Sequence, residues 1–160
     1  MTPRWIVPAA LAAALALPAM AAAQQIATTA PEATAWGPAP PFLPPGAKLA
    51  VLTGNPMAQG VFTLRLQMPA NYEIPAHTHP TAELVTVIGG TLHLGHGDVL
   101  DRGHSQALKP GAFADIPANH THFAFAGPEG AVVQIHGMGP FAITYVDPAK
   151  DPQRATTAKQ

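Results

Sequence analysis

The sequence predicts an all-β domain, either a small β-barrel or a double-sheet jelly roll. Three observations point there. From Ala47 onward, roughly eight or nine short β-type runs follow one another at near-regular spacing. Nineteen prolines and 14 glycines in 160 residues cut the chain into pieces too short for long helices. One run, Val61 to Met68, alternates cleanly: Phe62, Leu64, Leu66 and Met68 share one face, while Thr63, Arg65 and Gln67 share the other. The length suits a single domain.

Taken in order, residues 1–23 have the layout of a secretory signal peptide. Arg4 supplies the positive start, Trp5 to Leu17 is apolar, and Pro18 leads into the alanine-rich stretch Ala19 to Ala23. Cleavage is expected after Ala23, which makes the protein exported and periplasmic. The apolar stretch is short for a membrane span, so no membrane association is expected after cleavage. Residues 24–46 read as a proline-rich arm. Its closely spaced prolines favour extended geometry and exclude a helix. Trp36, Phe42 and Leu43 are too apolar for a pure linker, so the arm should pack against the body or a second subunit.

The barrel is expected over residues 47–147. Leu49 to Thr53 is a β-type run stopped by Gly54, Asn55 and Pro56. Val61 to Met68 follows, then Tyr72 to His79. Leu84 to Ile88 leads into Gly89-Gly90, a tight-turn signal, and Thr91 to Leu94 returns. Gly95 to Leu108 is polar and reads as a surface loop. Further strands are expected at Phe113 to Ile116, His122 to Ala126, Val132 to His136 and Phe141 to Val146, with Gly127 to Gly130 as a hairpin loop. Phe113, Phe123, Phe125, Met138 and Phe141 are assigned to the core. Residues 148–160 form a polar tail, expected to be flexible.

Composition excludes several function classes. Without Arg4 the mature chain has seven basic residues against nine acidic ones and no basic patch, so nucleic acid is not an expected partner. There is no cysteine. Any metal site must therefore use nitrogen and oxygen ligands. Neither a Ser-His-Asp or Cys-His nucleophile arrangement nor a phosphate-binding glycine loop is present.

All eight histidines lie between residues 77 and 136. His77 and His79 differ by two, which puts both imidazoles on one face of a strand. Glu83 has the same parity, although Pro80 intervenes and bends the chain. His122 is expected from a separate strand facing the first across the barrel. Three imidazoles and one carboxylate suit one divalent ion: Fe, Mn, Ni, Cu or Zn. His120 shares the parity of His122, so the second cluster is also His-x-His. His136 lies on a later strand. It is either a core or surface residue or a pocket residue acting as acid, base or hydrogen-bond donor. His93, His96 and His104 are assigned to the surface.

These residues resemble two motifs of the cupin superfamily. The first is G-x5-H-x-H-x3,4-E-x6-G, and the chain reads Asn71-x5-His77-x-His79-x3-Glu83-x6-Gly90. The second is G-x5-P-x-G-x2-H-x3-N, and the chain reads Gly111-x5-Pro117-x-Asn119-x2-His122-x3-Ala126. Asn71 and Asn119 stand where the family has glycine, and asparagine tolerates the positive φ of such turns. Ala126 replaces an asparagine that is not a ligand. The resemblance spans roughly Ala47 to Val146. It implies the cupin double-stranded β-helix, a jelly-roll barrel, with His77, His79, Glu83 and His122 as metal ligands. Motif register favours His122 over His120, leaving His120 at the barrel mouth or on the surface.

The whole chain is similar to small exported single-domain cupins and to the cupin domain of ChrR-type regulators. The resemblance implies a small-molecule ligand or substrate and a homodimer. Two functions stay open. One is a metal-dependent, dioxygenase-type enzyme acting on a small organic molecule; the other is a non-catalytic metal-binding or sensor module in the cell envelope. Catalytic residues beyond the ligands are not identified, with His136 and His120 as the pocket candidates.

Overall fold

Two long strands, each bent in the middle, organise the molecule. The computed structural model describes residues 25–157, and the expected signal peptide over residues 1–23 lies outside them. Among the described residues, nine strands form one curled antiparallel sheet: β1 (Gly37–Pro38), β2 (Lys48–Thr53), β3 (Gly60–Met68), β4 (Glu73–Thr78), β5 (Glu83–His96), β6 (Gln106–Leu108), β7 (Phe113–Ile116), β8 (His122–Gly139) and β9 (Thr144–Tyr145). β5 and β8 pair along almost their whole length, from Glu83↔Gly137 to His96↔His122. The far half of β8 also pairs with β3, and its near half pairs with β4. The sheet therefore curls into two faces. One contains β1, β2, β3, the far half of β8, the near half of β5, and β7. The other contains β9, β4, the near half of β8, the far half of β5, and β6. This is a double-sheet jelly roll, as the run of short β segments predicts.

The bend corrects two expectations. Gly89-Gly90 is not a hairpin turn, and Gly127 to Gly130 is not a hairpin loop. Both lie inside continuous strands, and the chain keeps its direction through them. Gly90 pairs with Ala131, while Leu92 pairs with Ala126, so Gly127 to Gly130 forms a bulge on β8. Gly90 has φ 68°, and a Cβ there would lie 2.1 Å from the Gly130 carbonyl oxygen. Only glycine permits both the left-handed backbone and that close approach. The corner between the two faces is therefore a pair of opposed bends.

Apolar side chains on alternate positions fill the space between the faces. Phe62 is fully buried, joined by Leu64, Leu66, Val87, Leu92 and Val133. Two of the expected core residues are not core. Phe113 is 59% exposed and Met138 is 50% exposed. Ile116, three positions after Phe113, takes the inward parity of β7, which turns Phe113 outward.

A smaller cluster of Ala76, Phe123 and Phe125 lies apart from the main core, and Leu100 packs on it. Arg102 lies 4.4 Å above the Phe125 ring and pairs with Glu73 at 2.6 Å. His93 stacks on Phe125 at 4.4 Å. The segment expected as a polar surface loop thus covers aromatic surface. It also contains β6, because Gln106 to Leu108 pairs back onto β5.

The arm lies against the barrel. Thr34 is buried and accepts a hydrogen bond from Arg65. β1 adds to the edge of β2. The Tyr145 hydroxyl donates to the Phe42 carbonyl at 2.8 Å, and the Tyr72 hydroxyl donates to the Pro44 carbonyl. At the other end, the tail expected to be flexible forms a 3-10 turn at Pro148–Lys150 and a short helix, α1 (Pro152–Thr157). Asp147 and Asp151 side chains accept from the amides of Ala149 and Gln153, which satisfies the exposed N–H groups at the two starts.

Candidate metal centre

His77 on β4 and His122 at the start of β8 are directly opposite partners in the antiparallel ladder. Their rings lie 4.2 Å apart. His122 is therefore beside His77, not across the barrel as expected from the sequence. His79 follows β4 by one residue and keeps the parity of His77. Beyond Pro80 the chain crosses to the other face, and Glu83 opens β5 there. Glu83 is the residue that faces the histidines across the barrel.

All four side chains are buried. The candidate ligand nitrogens of His77, His79 and His122 lie within 4.8 Å of one another, a group that could hold a metal ion. Nε2 of His77 is 3.1 Å from Nε2 of His79. The Glu83 carboxylate lies 3.5 Å from Nε2 of His79 and 3.4 Å from Nε2 of His122.

The outer ring nitrogens decide what the inner ones can do. Each Nδ1 has a backbone carbonyl as its partner: Pro75 for His77 at 2.7 Å, Ala142 for His79 at 2.7 Å, and His120 for His122 at 3.0 Å. A carbonyl only accepts, so each Nδ1 carries its hydrogen and donates it. In the neutral imidazoles, all three Nε2 lone pairs then point into one small space beside a carboxylate. Lone pairs 3.1 Å apart repel unless a cation sits among them. The donor set and its fixed tautomers therefore fit a divalent ion bound by nitrogen and oxygen.

The electrostatics agree. Burial first, then positive charge on His122 and His79, lowers the His77 imidazole from its usual 6.5 to about 3. His79 is lowered as well, again by burial first. Burial alone would raise the Glu83 carboxyl. When the imidazoles are protonated, a hydrogen bond from His122 and the positive charge of His79, His122 and His77 outweigh it and hold Glu83 below the usual range. The cluster thus resists extra protons on His77 while keeping an anion in its midst, which is the condition a metal ion relieves.

A cavity of about 120 Å3 opens beside the cluster, lined by His77, His79 and Glu83 together with apolar residues. Phe141 stacks on His79 at 4.3 Å and belongs to this wall. A smaller space of about 40 Å3 lies on the other side, bounded by His77, Glu83 and His122 and by core residues such as Val85 and Val133.

Neither pocket candidate enters these cavities. His120 is exposed, and its contribution is its backbone carbonyl, which orients His122. His136 alternates out of the core between Ile135 and Gly137. Its Nδ1 pairs with Thr63 and its Nε2 with the Gln134 amide, which Arg65 orients in turn. Asn71 and Asn119 take φ 58° and 60°, so asparagine supplies the turn geometry for which the family uses glycine. Phe42 and Leu43 of the arm line the cavity, and only their apolar character in a proline-rich stretch hinted at such a role. Met57 and Ile143 also line it, and no sequence signal marked them.

Fold and cluster together define a class: the chain has the cupin fold, a jelly-roll barrel with a histidine-rich pocket at one end. Among solved structures, the polyketide cyclase RemF from Streptomyces resistomycificus superposes with a TM-score of 0.56 at 20% identity, covering 69% of this chain and 78% of that one. An RmlC-like cupin from Shewanella frigidimarina gives 0.53 at 17% identity, covering 69% and 87%. KdgF from Halomonas sp. gives 0.53 at 14% identity, covering 72% and 96%. No protein-family model matches the sequence. No curated protein matches it either.

Proposed function

We propose that this chain binds one divalent metal ion through His77, His79, Glu83 and His122 and uses it in a reaction on a small organic molecule. The supporting observation is the convergence of three Nε2 lone pairs on one carboxylate, with every Nδ1 committed to a backbone carbonyl. A bound ion would supply Lewis acidity and, for a redox metal, electron transfer to dioxygen. The chain's own residues do the rest. The carbonyls of Pro75, Ala142 and His120 hold the imidazoles in one tautomer, Glu83 balances the charge, and the apolar wall limits water.

An oxygenase-type reaction suits this pocket. Apart from the cluster itself, no cavity-lining residue among those described can act as nucleophile, acid or base, so the chemistry falls to the metal. The same observation favours a second reading, a non-catalytic ligand-binding or sensor module. Reconstitution with Fe, Mn, Ni, Cu and Zn separately, followed by oxygen uptake with small enols and phenols, separates the two. Turnover that disappears in His79→Ala supports the enzyme. Ligand binding without turnover by any metal form supports the sensor. Failure to retain any metal overturns both.

Export to the periplasm is part of the proposal and rests on residues 1–23. The mature protein is expected to begin at Gln24 by N-terminal sequencing. A periplasmic protein that still begins at Met1 would refute the cleavage site.

A further inference from the structure

We infer that the cavity takes a compact, uncharged ring compound with adjacent oxygen donors on one edge, of the catechol or cyclic-enol class, and turns away dicarboxylates whose two ends cannot reach one metal ion. This rests on the metal reading above. Size comes first. The cavity measures about 120 Å3. An apolar cavity of about 150 Å3 holds one benzene molecule. One six-membered ring is therefore close to the limit, and a fused polycycle is too large.

Chemistry comes second. Among the described residues, the polar side chains lining the space are His77, His79 and Glu83, which cluster together. The remaining wall is apolar, with Leu49, Leu64 and Ile135 from the barrel and Phe42 and Leu43 from the arm. Among the described residues, no arginine, lysine, asparagine, glutamine, serine or threonine lines it. A rigid trans dicarboxylate such as fumarate could meet the cluster with one end only. Its other carboxylate would face hydrocarbon without a partner, which disfavours its binding. A neutral ring avoids that cost. Its oxygens meet the cluster, its carbons meet the leucines, and a phenolic O–H can donate to Glu83 or to an imidazole lone pair even without metal.

The arm turns this from an open barrel mouth into a pocket. Its carbonyls at Phe42 and Pro44 are held by the hydroxyls of Tyr145 and Tyr72, both rooted in the barrel. Met57, 64% exposed, also lines the cavity and so sits where the cavity meets solvent. Leu43 and Met57 therefore set the size limit without touching the cluster's backbone acceptors.

The test is calorimetric titration of the full chain, metal-free and zinc-loaded, with phenol, catechol and fumarate. Phenol should bind both forms. Catechol should bind the zinc form at least about tenfold more tightly than fumarate does. Leu43→Trp should abolish phenol binding in both forms with zinc content unchanged, and Met57→Trp provides the same test should Leu43→Trp fail to fold. Fumarate binding as tight as catechol would overturn the inference, as would phenol binding that ignores both tryptophans. If zinc is not retained but phenol still binds and is blocked by tryptophan, the metal reading fails while the apolar ring pocket stands.

Discussion

Acidifying the metal-free protein should unfold it early, and His77 is a principal cause. Burial, with positive charge on His122 and His79, lowers this imidazole from 6.5 to about 3. In the unfolded chain it takes up a proton as the pH falls through 6.5, whereas the native state refuses the proton until about pH 3. The unfolded state therefore binds more protons across that window, and native stability falls with pH by about 1.4 kcal/mol per unit. Between pH 6.5 and 4 the loss is on the order of 3 kcal/mol, a large share of the roughly 5–15 kcal/mol that holds a domain folded. Glu83, held below its usual value, acts with the same sign but only as the pH enters the carboxylate range. The assay is urea unfolding in the presence of chelator at a series of pH values, for wild type and His77→Asn. Asparagine does not titrate and can still donate to the Pro75 carbonyl. Wild type should lose about 3 kcal/mol more than the variant between pH 6.5 and 4. Parallel pH profiles for the two proteins would refute the argument.

Three further outcomes follow from the same geometry. A four-ligand zinc site is worth about 10–16 kcal/mol, so His122→Ala should weaken metal binding by about 10²–10³-fold in a chelator competition, while His120→Ala, which keeps its carbonyl, should leave it within about tenfold. A Cβ at Gly95 would lie 2.2 Å from the ring of the buried Phe123, so Gly95→Ala should cost about 1–3 kcal/mol in chemical denaturation. Tyr145→Phe removes the hydrogen bond to the Phe42 carbonyl and should cost about 1 kcal/mol, with faster amide exchange in the arm.

Much of the fold is legible in local pattern, because alternation and turn residues act within a few positions. β7 falls where the sequence puts it, and β3 starts one residue early. The errors arise where distant pairing overrides a local signal. Gly89-Gly90 and Gly127 to Gly130 look like turns in isolation. They become a bend and a bulge because β5 and β8 remain paired on both sides of them. Hydrophobicity alone points Phe113 inward, but the inward parity of Ile116 turns it out.

The cluster was legible for a similar reason. His77 and His79 share a face by spacing, and the motif register brings in Glu83 and His122. Two of the three Nδ1 acceptors, Pro75 and His120, sit two residues before their histidines, so they too are encoded locally. The third, Ala142, is 63 residues from His79, and nothing in the sequence connects them. The cavity wall was hidden for the same reason, since the arm, Met57 and Ile143 meet only in the folded chain.

Anomalous diffraction at the absorption edge of the loaded metal, from crystals of the full protein, shows whether these four side chains hold one divalent ion. One strong peak per chain is expected, about 2.0–2.2 Å from Nε2 of His77, His79 and His122 and from a Glu83 carboxylate oxygen. A peak at His120 or elsewhere on the surface, or none at the cluster, would contradict it.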